Sequence, residues 1–308
     1  MWIAFIPVIL WSFNALCSAR AARVFGAAAA NRWRLVLAAG ALGIWTTLGP
    51  GWPGHRGATL WLLLSGVAGL GAGDLSMMVA YRNIGPRITA LMLACLAVPV
   101  TAIIEWSWLG TRLTALQIAL CGGILGGVAL AVAPGARIPA ADRPALIRGL
   151  LHGLIAAAGQ GLGVALSRAA YRAAEADGIA PHGVSAAAVR MLGGLACTLL
   201  LELARRGARR RRRVVENRDG VGIARYGMLW RDWRWLIAAA LLGPILGVSA
   251  YQWALIRTPG ALVQSIAALV PVAVIPLAWR WEGDSPGVHG IAGGAAACGC
   301  AVALALLG

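Results

Sequence analysis

The segment LACLAVPV at residues 93–100 places Pro99 inside an apolar run, and the segment IAALVPVA at residues 266–273 places Pro271 in the same setting. Proline has no backbone N–H and its ring clashes with the preceding turn, so each of these residues is expected to kink a helix about one turn upstream. Matching features in two halves of one chain are typical of an internal repeat. The two prolines therefore predict a pair of related, kinked helices.

The sequence around these prolines is duplicated. Residues 73–110 can be laid over residues 247–283 with a small gap, because each segment has a glycine-bearing apolar stretch, a short Pro/Gly turn and a second stretch interrupted by VPV. Upstream, SARAAR at residues 18–23 is echoed by SRAAYR at residues 167–172. The chain is therefore expected to contain two related units.

Composition assigns both units to the membrane. Of the 308 residues, 60% are hydrophobic and only 12% are charged, and the mean hydropathy is +0.76, whereas soluble domains carry roughly 25% charged residues. A helix needs about 20 apolar residues to cross a bilayer. Apolar runs of that length predict ten spans, at approximately 2–18, 34–50, 58–80, 87–108, 114–134, 148–170, 184–204, 234–256, 260–279 and 288–307.

Five spans in each unit determine the predicted geometry. An odd number of crossings makes the second unit start on the opposite side of the membrane, so the two units have inverted topology. Repeats of this kind place a substrate site near the bilayer midplane, where the kinked helices would line a cavity or hinge beside it. The predicted fold is an all-α membrane protein with ten transmembrane helices in two inverted five-helix repeats. The boundaries are a first repeat at 1–136, a linker at 137–147 and a second repeat at 148–308.

All 27 basic residues are arginines, and the formal net charge is +16. Seven of them form RRGARRRRR at residues 205–213, in an arginine-rich loop that we place at 205–232. Such a run can mark nucleic-acid binding, but between membrane spans it is expected to contact anionic lipid headgroups on the cytoplasmic side. Membrane lipid, and no nucleic acid, is therefore the predicted partner. The overall arginine distribution favours both termini outside the cell.

Ionisable residues in apolar spans are candidates for function, because burying them in lipid is costly. Asp74 in span 3 is the clearest: it can exchange a proton or hold a cationic substrate, or it can be a structural carboxylate held by a neighbouring helix or by Arg82. Glu105 is expected at the interface with water, and Glu202 is expected to pair with the arginine run. Uncharged polar and aromatic residues within spans are candidates for substrate contact or, equally, for helix packing. They are Trp11, Asn14, Gln160, Gln252, Trp253 and Gln264.

Other chemistry is not predicted. The six cysteines and four histidines show no ligand spacing, so no metal or other cofactor is expected, and no residues stand in a catalytic arrangement. Glycine-rich faces in GGILGG at 122–127 and GIAGGAAACG at 290–299 allow close helix packing. The sequence leaves open whether these faces join the two halves or form a homodimer.

The chain resembles the ten-helix, EamA-like group of the drug/metabolite transporter superfamily. The resemblance rests on WSFN in the first span, on an arginine opening span 2 (Arg32 or Arg34) and span 7 (Arg190), and on the block A-Y-R-x-I-G-P-R…VPV…WLG. It departs from the family at Thr111, where a glutamate commonly follows WLG. It also implies cytoplasmic termini, which the arginine distribution contradicts, so the orientation stays open.

The resemblance implies transport of small organic metabolites, amino acids or amphipathic drugs by alternating access of two five-helix halves. No GxxxxGK[ST] nucleotide-binding loop exists in this lysine-free chain, so the expected drive is an ion gradient, with protons as the candidate ion, or the substrate gradient itself. We expect a multi-pass protein of a bacterial inner (plasma) membrane that is not an enzyme. The alternative is an intramembrane enzyme acting on lipid or isoprenoid substrates.

Overall fold

The computed structural model describes residues 2–49, 51, 54–132, 143–213, 230–274 and 287–307, with the backbone alone at 85–87, 132, 205–213 and 230–232. The described residues are helical apart from short turns. A 3-10 turn at Trp2–Ala4 leads into the first helix, and π-helical segments at Val67–Gly73 and Leu241–Ile245 interrupt two others. The helices are α1 (Phe5–Phe25), α2 (Ala27–Leu48), α3 (Arg56–Gly66), α4 (Asp74–Leu109), α5 (Ala115–Val132), α6 (Arg143–Ala176), α7 (Gly183–Arg213), α8 (Trp230–Ala240), α9 (Leu246–Arg257), α10 (Gly260–Ala267) and α11 (Val288–Leu306).

The prediction of an all-α membrane protein is confirmed. Seven helical stretches in the described part of the chain are long and apolar enough to span a membrane, and two shorter apolar helices lie at Ala115–Ala131 and Gly260–Val274. The remaining predicted span corresponds to α2, which has 22 residues but carries Asn31, Arg32 and Arg34. Helices therefore occupy all ten predicted positions.

Spans 3 and 4 run in opposite directions, although α4 is continuous in its helical backbone from Asp74 to Leu109. Along α6, the close neighbours of Gly149 include Ile84, while further on Gly161 lies against the carbonyl of Ala97 and Gly163 against the carbonyl of Ser65. One turn of α6 thus contacts residues on both sides of position 84. The chain must reverse between the two apolar stretches, as the Pro/Gly turn predicts.

Helices of the first half pack mainly against helices of the second. The α6 helix lies against α3 and α4, α2 lies against α7, and α1 lies against α8 and α9. The polar side chains discussed below lie along these contacts, so their positions are set by packing between the two halves.

The glycine-rich faces of α5 and α11 pack against each other. A Cβ added at Gly127 would lie 2.7 Å from the carbonyl oxygen of Gly293, and one added at Gly123 would lie 2.6 Å from Sγ of Cys300. These positions therefore join two helices of one chain.

Two predicted boundaries differ from the structure. The α7 helix continues through Arg213, beyond the start of the predicted loop at residue 205, since arginine is a good helix former and the backbone need not break where the membrane ends. The α6 helix begins at Arg143, inside the predicted linker 137–147. The boundary at residue 136, the rest of that linker and residues 214–229 of the arginine-rich loop lie outside the described residues.

The two prolines differ in their surroundings. Helix α10 ends at Ala267, one turn before the buried Pro271, and helical backbone resumes at residue 270. Around the exposed Pro99 the helical backbone continues without a break.

Candidate functional site

Asp74 lies at the centre of a buried polar cluster. The guanidinium of Arg34 donates to its Oδ2 atom, and the amide of Gln160 donates to Oδ1 over 2.7 Å. Asn31 accepts a hydrogen bond from Arg34 over 3.1 Å and donates to Thr198 on α7 over 3.2 Å. The carboxylate thus connects α2 and α4 of the first half to α6 of the second. We call Asn31, Arg34, Asp74 and Gln160 the Asp74 cluster.

The partner of Asp74 is Arg34, not Arg82, which is exposed. The sequence places Arg34 at the opening of span 2, but α2 begins at Ala27, and the side chain of Arg34 is 2% exposed. A charge this deep is tolerated only with a partner. Because Asp74 supplies that partner, the membrane helix can extend past the arginine.

Both π-helical segments lie where a glycine lets the first helix of the other half approach closely. A Cβ at Gly69 would lie 3.8 Å from Oε1 of Gln160 on α6, and one at Gly243 would lie 2.9 Å from Oδ1 of Asn14 on α1. Gln160 also donates to the carbonyl of Gly69 over 3.3 Å. Widened helical turns of this type are frequent at functional sites, because they alter the backbone hydrogen bonding.

Two tyrosine–glutamine pairs connect helices of the second half. The hydroxyl of Tyr171 on α6 donates to Gln252 on α9, and the hydroxyl of Tyr251 donates to Gln264 on α10. Gln252 is fully buried, and its Nε2 atom has no hydrogen-bond partner among the described residues.

Arg190 on α7 is a second deeply buried guanidinium. Its exposed fraction is 3%, and its Nε atom has no hydrogen-bond partner in the described part of the chain. Its Nη2 atom lies beside Gly69 and Gly163, where an added Cβ would approach it to 3.1 and 3.3 Å. Two glycines thus leave the room that this guanidinium occupies.

Glu105 forms a separate bridge between the halves, and the expectation of a water-facing residue is wrong, since it is only 1% exposed. Its two carboxylate oxygens accept from the backbone N–H groups of Gly260 (2.9 Å) and Ala261 (3.1 Å), at the first turn of α10. The Nε atom of Arg168 lies 3.6 Å from Oε1. The free N–H groups and dipole of a helix N-terminus stabilise a carboxylate there. This arrangement, called the Glu105 bridge, replaces the water that an interfacial position would supply.

Further contacts join the halves on the side where the chain termini lie, which we call the terminal side. Nε2 of His55 lies 2.6 Å from Oδ2 of Asp177, and the hydroxyl of Ser185 donates to the carbonyl of Gly51 over 2.7 Å. Thr111 accepts a hydrogen bond from Arg172 over 2.8 Å. Together with the Glu105 bridge, these contacts join the two halves on the terminal side.

The other side carries its own contacts. Glu202 pairs with Arg32 of α2. The side chains of the arginine run, the partner expected from the sequence, lie outside the described residues. The guanidinium of Arg20 lies 4.3 Å from the ring centroid of Trp235.

The structure distributes the predicted site residues over several locations. Gln160 lies in the Asp74 cluster, and Gln252 and Gln264 lie in the tyrosine–glutamine pairs. Trp11 packs against Tyr251 with ring centroids 5.1 Å apart, and Asn14 accepts from Ser18 over 2.9 Å. Trp253 is 41% exposed and packs edge-on against His182 near the terminal side, so it lies apart from the Asp74 cluster.

Sequence reasoning missed several buried groups. The sequence indicates Arg34 and Arg190 only through the family resemblance, and it gives no sign that Tyr171 and Glu105 are internal. The available signal was the pairing of two arginines, each seven positions after the first residue of its helix, Ala27 for Arg34 and Gly183 for Arg190. Their burial could not be inferred, because hydropathy treats an arginine at a span end and one inside it alike.

Within the described ranges, no group of three or more His, Cys, Asp or Glu side chains is arranged to hold a metal ion. The acids inside the membrane helices are instead engaged by arginines, amides and backbone N–H groups.

Comparison with known proteins finds a matching family model for the first part of the chain and solved structures of similar fold. No curated protein matches the sequence. The fold matches 28 solved chains; one of them, titled only "Crystal structure of protein", has a TM-score of 0.67 and 20% identity, over 99% of this chain and 96% of its own length. At that identity the likeness shows the fold alone. Residues 1–133 match the model of the EamA-like transporter family. This first part of the chain is therefore similar to a family of membrane transporters.

Proposed function

We propose that the protein is a secondary transporter that moves small organic metabolites, amino acids or amphipathic drugs across the bacterial plasma membrane by alternating access. The observation that carries the proposal is the Asp74 cluster, in which a buried carboxylate and its arginine connect helices of both halves. Buried ion pairs inside membrane helices mark substrate and ion pathways, because such charges are otherwise too costly to keep.

We also propose that residues 1–136 and 148–308 are inverted repeats around this pathway. The overlay of Gly73 on Gly247 brings Val67 onto Leu241, so the two π-helical segments begin at the same position of the repeat. Gly73 packs against Gln160 on α6 and Gly247 against Trp11 on α1. In each half, the first helix of the other half thus packs against the equivalent glycine. This equivalence supports two units related by a two-fold axis.

Alternating access requires the contacts on one side to break while those on the other form. The terminal side is closed by the Glu105 bridge, by His55 with Asp177 and by Arg172 with Thr111. These are polar contacts between a few side chains, which separate and re-form more readily than an interdigitated apolar core. We propose that they are the gate on this side.

Protons are the proposed coupling ion, with Asp74 as the group that carries them. Its two oxygens already accept from Arg34 and Gln160, so its protonation would loosen one contact within the first half and one between the halves. Nothing observed favours the intramembrane enzyme, since Asp74 and Glu105 are each engaged by different partners.

The test is transport by the full chain reconstituted in vesicles, with amino acids and cationic or anionic drugs offered with and without an imposed proton gradient. We expect at least one class of solute to move, and we expect Asp74→Asn to abolish its dependence on the gradient. Glu175→Gln, at an exposed acid of α6 outside the Asp74 cluster and the proposed gate, is the control for loss of an acid. If the wild-type protein moves no solute in either direction, the proposed function is wrong.

A further inference from the structure

Arg190 is the buried cation that the proposed function leaves unexplained. It lies inside α7, within electrostatic range of Asp74, Tyr171 and Tyr251. Its side chain is almost fully buried, and its Nε atom has no hydrogen-bond partner among the described residues. An arginine cannot become neutral in a protein. Leaving its charge without a partner in a membrane interior is strongly unfavourable.

Arg34 shows what is missing around Arg190. Each arginine lies seven positions after the first residue of the second helix in its half, Ala27 or Gly183. Asp74 neutralises Arg34. The overlay of Gly73 on Gly247 puts Val248 where the first half has Asp74, and Val248 packs in the same core cluster as Met191, next to Arg190 in α7. The second half therefore retains the guanidinium without the carboxylate.

The unsatisfied groups near this position are hydrogen-bond donors. Nε of Arg190 and Nε2 of Gln252 are both buried without a partner in the part of the chain that the structure describes. Tyr171 connects them, since its hydroxyl donates to Gln252 while the residue interacts electrostatically with Arg190. Two unpaired donors and one uncompensated positive charge call for an oxygen-bearing anion.

We propose that Arg190 and Gln252 bind the carboxylate of the transported solute. The two guanidiniums and one carboxylate of Arg34, Arg190 and Asp74 leave a single positive charge, which one carboxylate neutralises and a phosphate dianion would exceed. This inference rests on the proposed function and specifies its substrate class: small solutes that carry one carboxylate. The Asp74 carboxylate, already held by Arg34 and Gln160, is then not the group that selects the substrate.

The experiment measures thermal unfolding of the purified full chain in detergent with pairs of small molecules that differ only in charge. The probes are the proteinogenic amino acids and aliphatic and aromatic monocarboxylates. Each acid is compared with the carboxamide that lacks its carboxylate charge. Every probe is used at 10 mM, about the concentration at which weak binding is detected. Four variants are compared with the wild type. Arg190→Gln removes the cation, Val248→Asp supplies the missing acid, Val248→Asn matches that change without the charge, and Arg32→Gln removes an arginine outside the site.

We expect one or more carboxylates, and none of the matching carboxamides, to raise the unfolding temperature of the wild type and of Arg32→Gln. The rise should be lost in Arg190→Gln. It should also be lost in Val248→Asp, because the new carboxylate occupies Arg190. Val248→Asp should remain folded without ligand. The difference between its unfolding temperature and that of Val248→Asn then measures the effect of the added charge alone. Val248→Asp combined with Arg190→Gln should be less stable than either single variant, because it buries an unpaired acid.

The inference is overturned if the carboxamides stabilise as well as the acids, if no probe stabilises the wild type, or if Arg190→Gln keeps the response. Failure of the proposed function looks different. In that case vesicles with the wild-type protein move no solute at all. If they move a neutral or cationic solute and Arg190→Gln does not change its rate, the transporter proposal stands and the carboxylate site is wrong.

Discussion

The guanidinium of Arg34 donates a hydrogen bond to the carboxylate of Asp74 in the interior of the helix bundle, where neither side chain is more than 10% exposed. A pair buried this deeply makes each residue dependent on the other. The free energy of unfolding should therefore respond far more to loss of one partner than to loss of both.

Asp74→Asn is expected to lower the free energy of unfolding by about 3–5 kcal/mol, because it leaves the Arg34 charge buried without a partner. The double variant Arg34→Gln with Asp74→Asn should recover a large part of that loss. Chemical unfolding of the wild type, both single variants and the double variant checks this through a double-mutant cycle. Additive effects of the two substitutions would mean that the ion pair does not contribute to stability.

Glu105→Gln is expected to weaken the terminal side. The amide keeps one oxygen acceptor but loses the negative charge. That charge now lies beside the backbone N–H groups of Gly260 and Ala261 and the guanidinium of Arg168. Hydrogen bonds to a charged group contribute about 1.5–3 kcal/mol each, so contacts on this side should open more often. Labelling of a cysteine introduced at Thr111 by a membrane-impermeant thiol reagent measures the opening. Glu175→Gln, on an exposed acid of α6, is the control, and equal labelling rates would contradict the gate.

Covalent connection of positions 55 and 177 is expected to stop transport. In a background without native cysteines, His55→Cys and Asp177→Cys place two thiols where the imidazole and carboxylate now lie 2.6 Å apart. A short, reducible bis-thiosulfonate cross-linker should then hold the terminal side closed. Transport should return when the linker is reduced, and His55→Cys alone should be unaffected. Undiminished transport in the cross-linked protein would show that these segments need not separate.

Adjacent glycines on α5 offer a matched test of helix packing. A Cβ at Gly127 would lie 2.7 Å from both the backbone N of Ala297 and the carbonyl oxygen of Gly293, whereas nothing lies within 4 Å of one at Gly126. Gly127→Ala should therefore lower the free energy of unfolding by about 1–3 kcal/mol through overpacking. Gly126→Ala should be neutral or slightly stabilising, by up to about 1 kcal/mol, because alanine is the better helix former. Equal effects in thermal unfolding would contradict the contact between α5 and α11.

Stability is expected to fall in mild acid through His182, which lies between α6 and α7 outside the spanning segments. Burial lowers the pKa of His182 below its ordinary value of 6.5, so the unfolded chain binds this proton more readily than the folded protein does. As the pH falls below about 6.5, the unfolded state is favoured. The unfolding temperature of the wild type should drop between pH 7.5 and 5.5, and His182→Gln should reduce that drop. An identical pH profile for the variant would contradict this role.

Several parts of the fold could be predicted from local sequence, and the candidate site could be predicted only in part. The Pro/Gly turn near residue 86 and the apolar length of each span depend on neighbouring residues, so they were visible in the sequence. The partner of Asp74 was not, because Arg34 lies 40 positions away on another helix. Glu105 was placed at the interface for the same reason, since its partners are backbone N–H groups of α10, 155 and 156 positions further along the chain.

The sequence by itself determined that this is a membrane protein with ten apolar segments and a duplicated plan, because hydropathy and repeated order are properties of the chain alone. Only the tertiary structure decided which charges are neutralised inside it. Arg34 and Arg190 have equivalent places in the sequence, yet Arg34 donates to a carboxylate, whereas Nε of Arg190 has no hydrogen-bond partner among the described residues. That difference arises because helices far apart in the chain pack together in the fold. In such a buried setting, a charge without a partner is strongly destabilising.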